Sequence, residues 1–132
     1  MTMKVIDDEL LDEVTTKAGL SDRLRMNYNL HENLDDKAQR LLNALEPGTI
    51  FPIHRHLHTP ETYIVLRGSL LVKTYDESKE LLASVVLNAK AGKYGVDISA
   101  GRFHTLEVLE SGTVIFEVKE GPYKPLEPEN IL

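Results

Sequence analysis

An all-β fold is predicted, a small antiparallel sandwich or barrel behind a short helical and strand-forming extension, and two observations carry it. From Thr49 onward apolar and polar residues alternate with period two, and the alternating segments are short. Each is closed by a turn signal: Arg67-Gly68, "D-E-S-K-E" from Asp76, "K-A-G-K" from Lys90 and "E-S-G" from Glu110. Candidate strands cover 49–56, 61–67, 69–75, 81–88, 94–98, 103–109 and 113–119. Short strands at this spacing suit a sandwich or barrel.

The elements ahead of them follow in order. In "D-D-E-L-L-D-E-V-T-T-K-A-G-L", Ile6, Leu10, Leu11, Val14 and Ala18 recur at helical spacing, with Asp7 or Asp8 as N-cap and Gly19 as the stop. The stretch "R-L-R-M-N-Y-N-L-H" alternates strictly. It puts Leu24, Met26, Tyr28 and Leu30 on one face of a strand and Arg23, Arg25, Asn27, Asn29 and His31 on the other. A second helix is expected from Asp35 or Asp36, because Ala38, Leu41, Leu42 and Leu45 again fall at helical spacing before Pro47-Gly48. The tail "E-G-P-Y-K-P-L-E-P-E-N-I-L" is proline-rich and is expected to cross the surface in extended form.

At 132 residues the chain suits one structural domain, with the extension at 1–47 packed on a barrel at 48–132. Its 15 basic and 21 acidic residues are interspersed and give a net charge of -6, which argues against nucleic acid as a partner. The absence of cysteine excludes disulfides and thiolate chemistry and fits a reducing compartment. The first residues contain no apolar signal core and no later run could span a membrane, so a cytoplasmic location is expected. Strand edges that need covering point to a homodimer.

The chemistry is concentrated in "F-P-I-H-R-H-L-H-T-P-E-T-Y-I-V-L-R-G", residues 51–68, which holds three of the five histidines. On a strand His54 and His56 would share a face about 6.6 Å apart, close enough for both imidazoles to meet one ion at about 2.1 Å. Glu61 follows the turn marked by Pro60 and can return its carboxylate to the same place. His104, after the Gly101 turn, offers a fourth ligand. Two same-face histidines, a carboxylate and a further histidine have no economical structural explanation, because burying them unpaired is costly. His58 continues the parity but sits at the turn before Pro60 and is assigned to the rim.

Residues 48–68 run Gly48, five residues, His54-x-His56, four residues, Glu61, six residues, Gly68, and so resemble the first cupin motif at every fixed position. The second cupin motif is matched by Gly101 and His104, while Lys93, Ser99 and Val108 stand where it has glycine, proline and asparagine. The segments "N-L-H" at 29–31, "Q-R-L-L-N-A-L-E-P-G" at 39–48, "P-x-H-R-H" at 52–56 and "F-E-V-K-E-G-P-Y-K-P" at 116–125 resemble the WbuC-type cupin-fold metalloproteins over most of the chain. That resemblance implies a jelly-roll-like cupin barrel in a small bacterial metalloprotein of surface-polysaccharide, especially O-antigen (lipopolysaccharide), biosynthesis. It also implies His54, His56, Glu61 and His104 as metal ligands, the same four that the spacing selects.

The polar face of the front strand has two readings, a solvated surface or a pocket lining rich in donors for carboxylate, phosphate or sugar hydroxyls. Alternation and resemblance favour Arg25, Asn27 and His31 for the lining, although His31 taken singly is structural. Tyr63, Val65 and Phe103 are core residues by default, and Tyr63 is the one placed as a pocket wall against substrate. Three imidazoles and a carboxylate suit one divalent zinc, iron, manganese, nickel or copper ion. Open coordination positions would allow Lewis-acid chemistry, with Glu61 exchanging protons. Three functions are therefore expected: a metalloenzyme isomerising, epimerising or eliminating on a sugar, polyhydroxy or keto compound; a non-catalytic metal-dependent binding or regulatory module; or an iron-dependent dioxygenase.

Overall fold

The computed structural model describes residues 3–132, and its core is a pair of antiparallel sheets. Helix α1 spans Asp8–Leu20, and the strands are β1 (Arg25–Asn29), β2 (Ala38–Leu45), β3 (Glu61–Arg67), β4 (Leu70–Tyr75), β5 (Leu81–Leu87), β6 (Gly95–Ile98), β7 (Phe103–Val108) and β8 (Thr113–Glu120). A five-stranded sheet runs β1-β2-β8-β3-β6 and a three-stranded sheet runs β5-β4-β7. Between them lie Leu45, Tyr63, Val65, Leu70, Val72, Leu87, Ile98, Leu106, Val108 and Ile115. Among the described residues no helix is long and apolar enough to cross a membrane.

The front of the chain begins as its pattern predicts. Asp7 caps α1 by accepting the Leu10 N–H at 3.1 Å, and Leu11, Val14 and Ala18 pack on Leu42, Ala44 and Val114. The helix runs one residue past Gly19, and Ile6 precedes the cap and is exposed. Strand β1 keeps its alternation: Met26 and Tyr28 lie against the helical cluster, and Arg25, Asn27 and Asn29 take the opposite face.

Two expectations are corrected. The second helix is strand β2, lying between β1 and β8. Leu42 and Ala44 meet α1 while Leu45 enters the inter-sheet core, so apolar residues occupy both faces. A strand buried on both sides loses its period of two and reads as helix. Asp36, expected to cap that helix, instead accepts the Glu32 N–H at 2.8 Å within a turn. The strand expected at 49–56 is a connection with only isolated bridges at His54. Pro52 has no N–H to give to a ladder, and the segment's polar groups go to separate partners: His54 to His104, Arg55 to Asn130 and the Ile53 carbonyl to Leu132. The remaining expected strands correspond to β3 through β8.

Gly68 turns the chain from β3 into β4 with φ of +84°. A Cβ there would stand 2.6 Å from the Thr113 Cα, whose hydroxyl accepts the Ser69 N–H at 3.1 Å. Gly68→Ala should therefore lower stability by about 2–4 kcal/mol through strain and overlap together. Denaturant unfolding reads this directly, and a loss under about 1 kcal/mol would mean that the turn gives way freely.

Candidate metal centre

The ligand candidates arrive on three separate elements. His54 and His56 sit on the connection between β2 and β3, Glu61 opens β3 and His104 is on β7. Reciprocal backbone hydrogen bonds of 3.0 and 2.8 Å tie His54 to His104. The two rings stand with centroids 4.4 Å apart. Gly101, at φ +80°, donates its N–H to the His56 carbonyl at 2.8 Å, so the expected glycine turn also holds the ligand connection.

His54, Glu61 and His104 place ligand atoms within 4.8 Å of one another. His56 joins them through Glu61, its Nε2 lying 2.8 Å from Oε1. The His104 Nε2 is 3.3 Å from the same oxygen. Ligands held about 2.1 Å from one ion stand roughly 3–4 Å apart, so this constellation is close to closed. Two of the rings have a fixed tautomer. His54 Nδ1 donates to the Pro52 carbonyl and His104 Nδ1 to the Arg102 carbonyl, both at 2.9 Å, leaving each Nε2 with a free lone pair. Tyr63 donates its hydroxyl to Glu61 Oε2 at 2.9 Å and lies 3.1 Å from His104 Nε2. Glu61 Oε1 is buried, and its close polar neighbours are the His56 and His104 Nε2 atoms alone among the described residues. A buried carboxylate oxygen with two imidazole nitrogens converging on it is an arrangement that a cation would fit.

The electrostatics agree with this geometry. Burial alone would raise the Glu61 carboxyl, but His104 and His56 hold it below the ordinary carboxylate range. Burial, reinforced by His104, lowers His54 to about 4, which keeps its ring neutral and ready to coordinate. Burial, with Glu61 and Glu117 nearby, raises Tyr63, so its hydroxyl remains a donor. Arg55, between the two loop histidines, bonds Asn130 through Nε at 2.9 Å and Glu77 through Nη1 at 2.8 Å, and its guanidinium stacks 4.6 Å from the Phe103 ring centroid. The ligand connection is thus clamped on both sides.

The expected pocket residues divide. Arg25 stacks on Phe51 at 4.7 Å; burial and Arg23 lower its guanidinium while Glu117 offsets them. Asn27 is exposed and faces Asn43 across the β1–β2 ladder. His31 is buried, its Nδ1 accepting the Arg40 N–H at 3.0 Å. A cleft of about 480 Å³ opens beside His56 and His58 instead, with Lys119, Lys124 and Asn130 among its walls.

Two residues of the inner face escaped the sequence reading. Glu117 lies opposite Tyr63 on the β3–β8 ladder and accepts Asn43 Nδ2 at 3.1 Å, while the buried Asn43 Oδ1 has no partner. Burial, helped by the charge of Glu61, pushes the Glu117 carboxyl up to about 7. Its signal is an acid sharing the parity of Ile115, and Asn43 was hidden by the helical reading of β2.

A family model described as Domain of unknown function (DUF6016) matches residues 6–87. No curated protein matches the sequence. Among solved structures the chain is similar to CapF from Staphylococcus aureus, a capsular polysaccharide assembling protein, at TM-score 0.68 and 20% identity over 85% of this chain and 32% of that chain. It therefore spans about a third of CapF. It is similar to BH2720 from Bacillus halodurans at TM-score 0.66 and 18% identity, over 95% of this chain and 86% of that chain. It is also similar to the Schizosaccharomyces pombe Cnp3 cupin domain at TM-score 0.56 and 10% identity, over 74% of this chain and 60% of that chain. At these identities the likeness establishes a cupin-like fold.

Glu117 gives a pH signature. Its folded carboxyl titrates near 7 against an ordinary 4.5, so between those values the folded state holds more protons and stability falls as pH rises. His54, near 4 against 6.5, contributes with the opposite sign, gaining as pH rises. Glu117→Gln removes only the first effect. The unfolding midpoint of the metal-free variant relative to wild type should climb between pH 4.5 and 7. A difference that is flat across this window contradicts the burial of a protonatable Glu117.

Proposed function

We propose that this chain, which belongs to the family described as Domain of unknown function (DUF6016), is a metal-dependent enzyme acting on a polyhydroxy or keto compound, of isomerase, epimerase or lyase type, in bacterial surface-polysaccharide biosynthesis. His54, His56, Glu61 and His104 hold one divalent transition metal ion. The observation that carries this reading is the buried Glu61 Oε1 with the His56 and His104 Nε2 atoms converging on it, while His54 and His104 donate their Nδ1 protons to backbone. The polysaccharide setting is supported by the resemblance of the segments 29–31, 39–48, 52–56 and 116–125 to WbuC-type proteins and by what CapF is described as assembling.

When bound, such an ion supplies Lewis acidity to a carbonyl or hydroxyl oxygen. The chain's own residues do the rest. Tyr63 keeps Glu61 Oε2 occupied, so Oε1 alone faces the site. Glu117, beside Tyr63 and titrating near neutral pH, holds the proton that an isomerisation or elimination must move, a role that the sequence reading gave to Glu61. Arg25 and Asn27, on the same inner sheet face, orient the ligand's acid and hydroxyl groups, with Lys119 at the cleft as a second cation.

Elemental analysis of protein purified without chelators should find about one ion per chain, lost in His54→Ala and His56→Ala together with a lower melting temperature, and retained in His58→Ala. Equal loss in all three would place His58 among the ligands. With sugar acids and keto acids titrated calorimetrically, Arg25→Ala should weaken binding by about 1.5–3 kcal/mol at unchanged metal content. If Lys119→Ala alone has that effect, the acid group sits in the cleft instead. Product formation supports the enzyme, binding without turnover supports a regulatory module, and oxygen consumption supports a dioxygenase.

A further inference from the structure

Strand β5 is the outer strand of the three-stranded sheet and, among the described residues, pairs only with β4. Its sequence, "L-L-A-S-V-V-L" at 81–87, contains no charge, proline or glycine, in a chain where 27% of residues are charged. Edge strands are ordinarily protected by lysine, proline or a bulge, because their outward N–H and C=O groups template pairing with another strand. The one irregularity here, between Thr74 and Tyr75, lies at the beginning of β5. Leu81, Leu82 and Val86 remain 54%, 52% and 47% exposed. Beside the strand a cleft of about 260 Å³ lined by Ala83, Val85, Val72 and Val96 leaves the seam between the two sheets open.

We propose that β5 pairs antiparallel with β5 of a second copy of this chain, about a two-fold axis through Ser84. This surface is separate from the metal centre and does not rest on the proposed function. The strand is complementary to itself in that register. Leu82 meets Val86, Ala83 meets Val85 and Leu81 meets Leu87, so every cross-strand pair but the central Ser84–Ser84 is apolar and no like charges are opposed. The flanks are complementary as well. Asp76, Glu77, Lys79 and Glu80 precede the strand with a net charge of -2, and Lys90 and Lys93 follow it with +2. Antiparallel pairing sets the acidic turn of each copy beside the basic turn of the other, twice per dimer. A two-fold contact uses up both edges and closes, whereas a head-to-tail contact would leave an edge free to propagate. The result joins two three-stranded sheets into one of six strands.

Sedimentation equilibrium of the full chain should give twice 14.9 kDa. The double variant Leu82→Lys and Val86→Lys, at side chains already exposed in the single copy, should be monomeric at the same concentration, should still unfold cooperatively, and should lose the concentration dependence of its melting temperature. Glu80→Lys should weaken the dimer and Lys90→Glu added to it should restore it, an outcome that a merely misfolded variant would not give. Because the chain lacks cysteine, Ser84→Cys introduces a single thiol, and a short bis-maleimide should link two copies through it but not through Ser111→Cys on a distant turn. A monomeric wild type, a dimer that survives the two lysines, or a dimer that fails to cross-link at Ser84→Cys each overturns the proposal.

Discussion

The pair of backbone hydrogen bonds between His54 and His104 is the constraint on which the site depends. It is only one residue wide, yet it fixes the connection from β2 to β3 against β7 at the point where two candidate ligand side chains leave the backbone. The side chains are then locked from behind by carbonyls two residues upstream, Pro52 for His54 and Arg102 for His104. A ring whose Nδ1 proton is held by the backbone has a single tautomer and a single lone pair to offer, so orientation and protonation are settled by the same bond.

How much of this was legible in the sequence depended on whether a residue's role was local. The spacing His54-x-His56, the turn before Glu61 and the glycine before His104 are local signals, and the four side chains they selected are brought together around Glu61 Oε1. Strands β3 through β8 were legible because each is short and bounded by turn signals. Strand β2 was not, since the cover of α1 on one side and the core on the other erase the alternation. That misreading hid Asn43, whose value lies in a partner on β8, 74 positions away. Glu117 was hidden for a related reason: an acid in a strand looks solvated until its cross-strand neighbours are known.

The inner face of the five-stranded sheet is divided between structural and chemical demands. Leu45, Val65 and Ile115 serve the apolar core, while Glu61, Tyr63, Glu117 and Asn43 on the same strands are polar and wholly or largely buried. Burial of a protonatable acid and of an unpartnered amide oxygen lowers stability in the absence of a ligand. The helical layer compensates on the other face. Ala18, Leu42, Ala44 and Val114 are wholly enclosed there, so the strands that carry the polar residues are anchored from outside the barrel.

The clamp on Arg55 has a consequence for the order in which the chain folds. Arg55 and Asn130 are 75 positions apart, and Tyr63 and His104 are 41 apart, so the surroundings of the site are assembled almost wholly from distant segments. Contacts of such long range form late, after the entropy of closing large loops has already been lost. Before that, the disordered chain presents an ion with nothing better than the neighbouring pair His54 and His56. The constellation that a cation would fit exists in the finished barrel alone, so anything held there reports on whether folding has gone to completion.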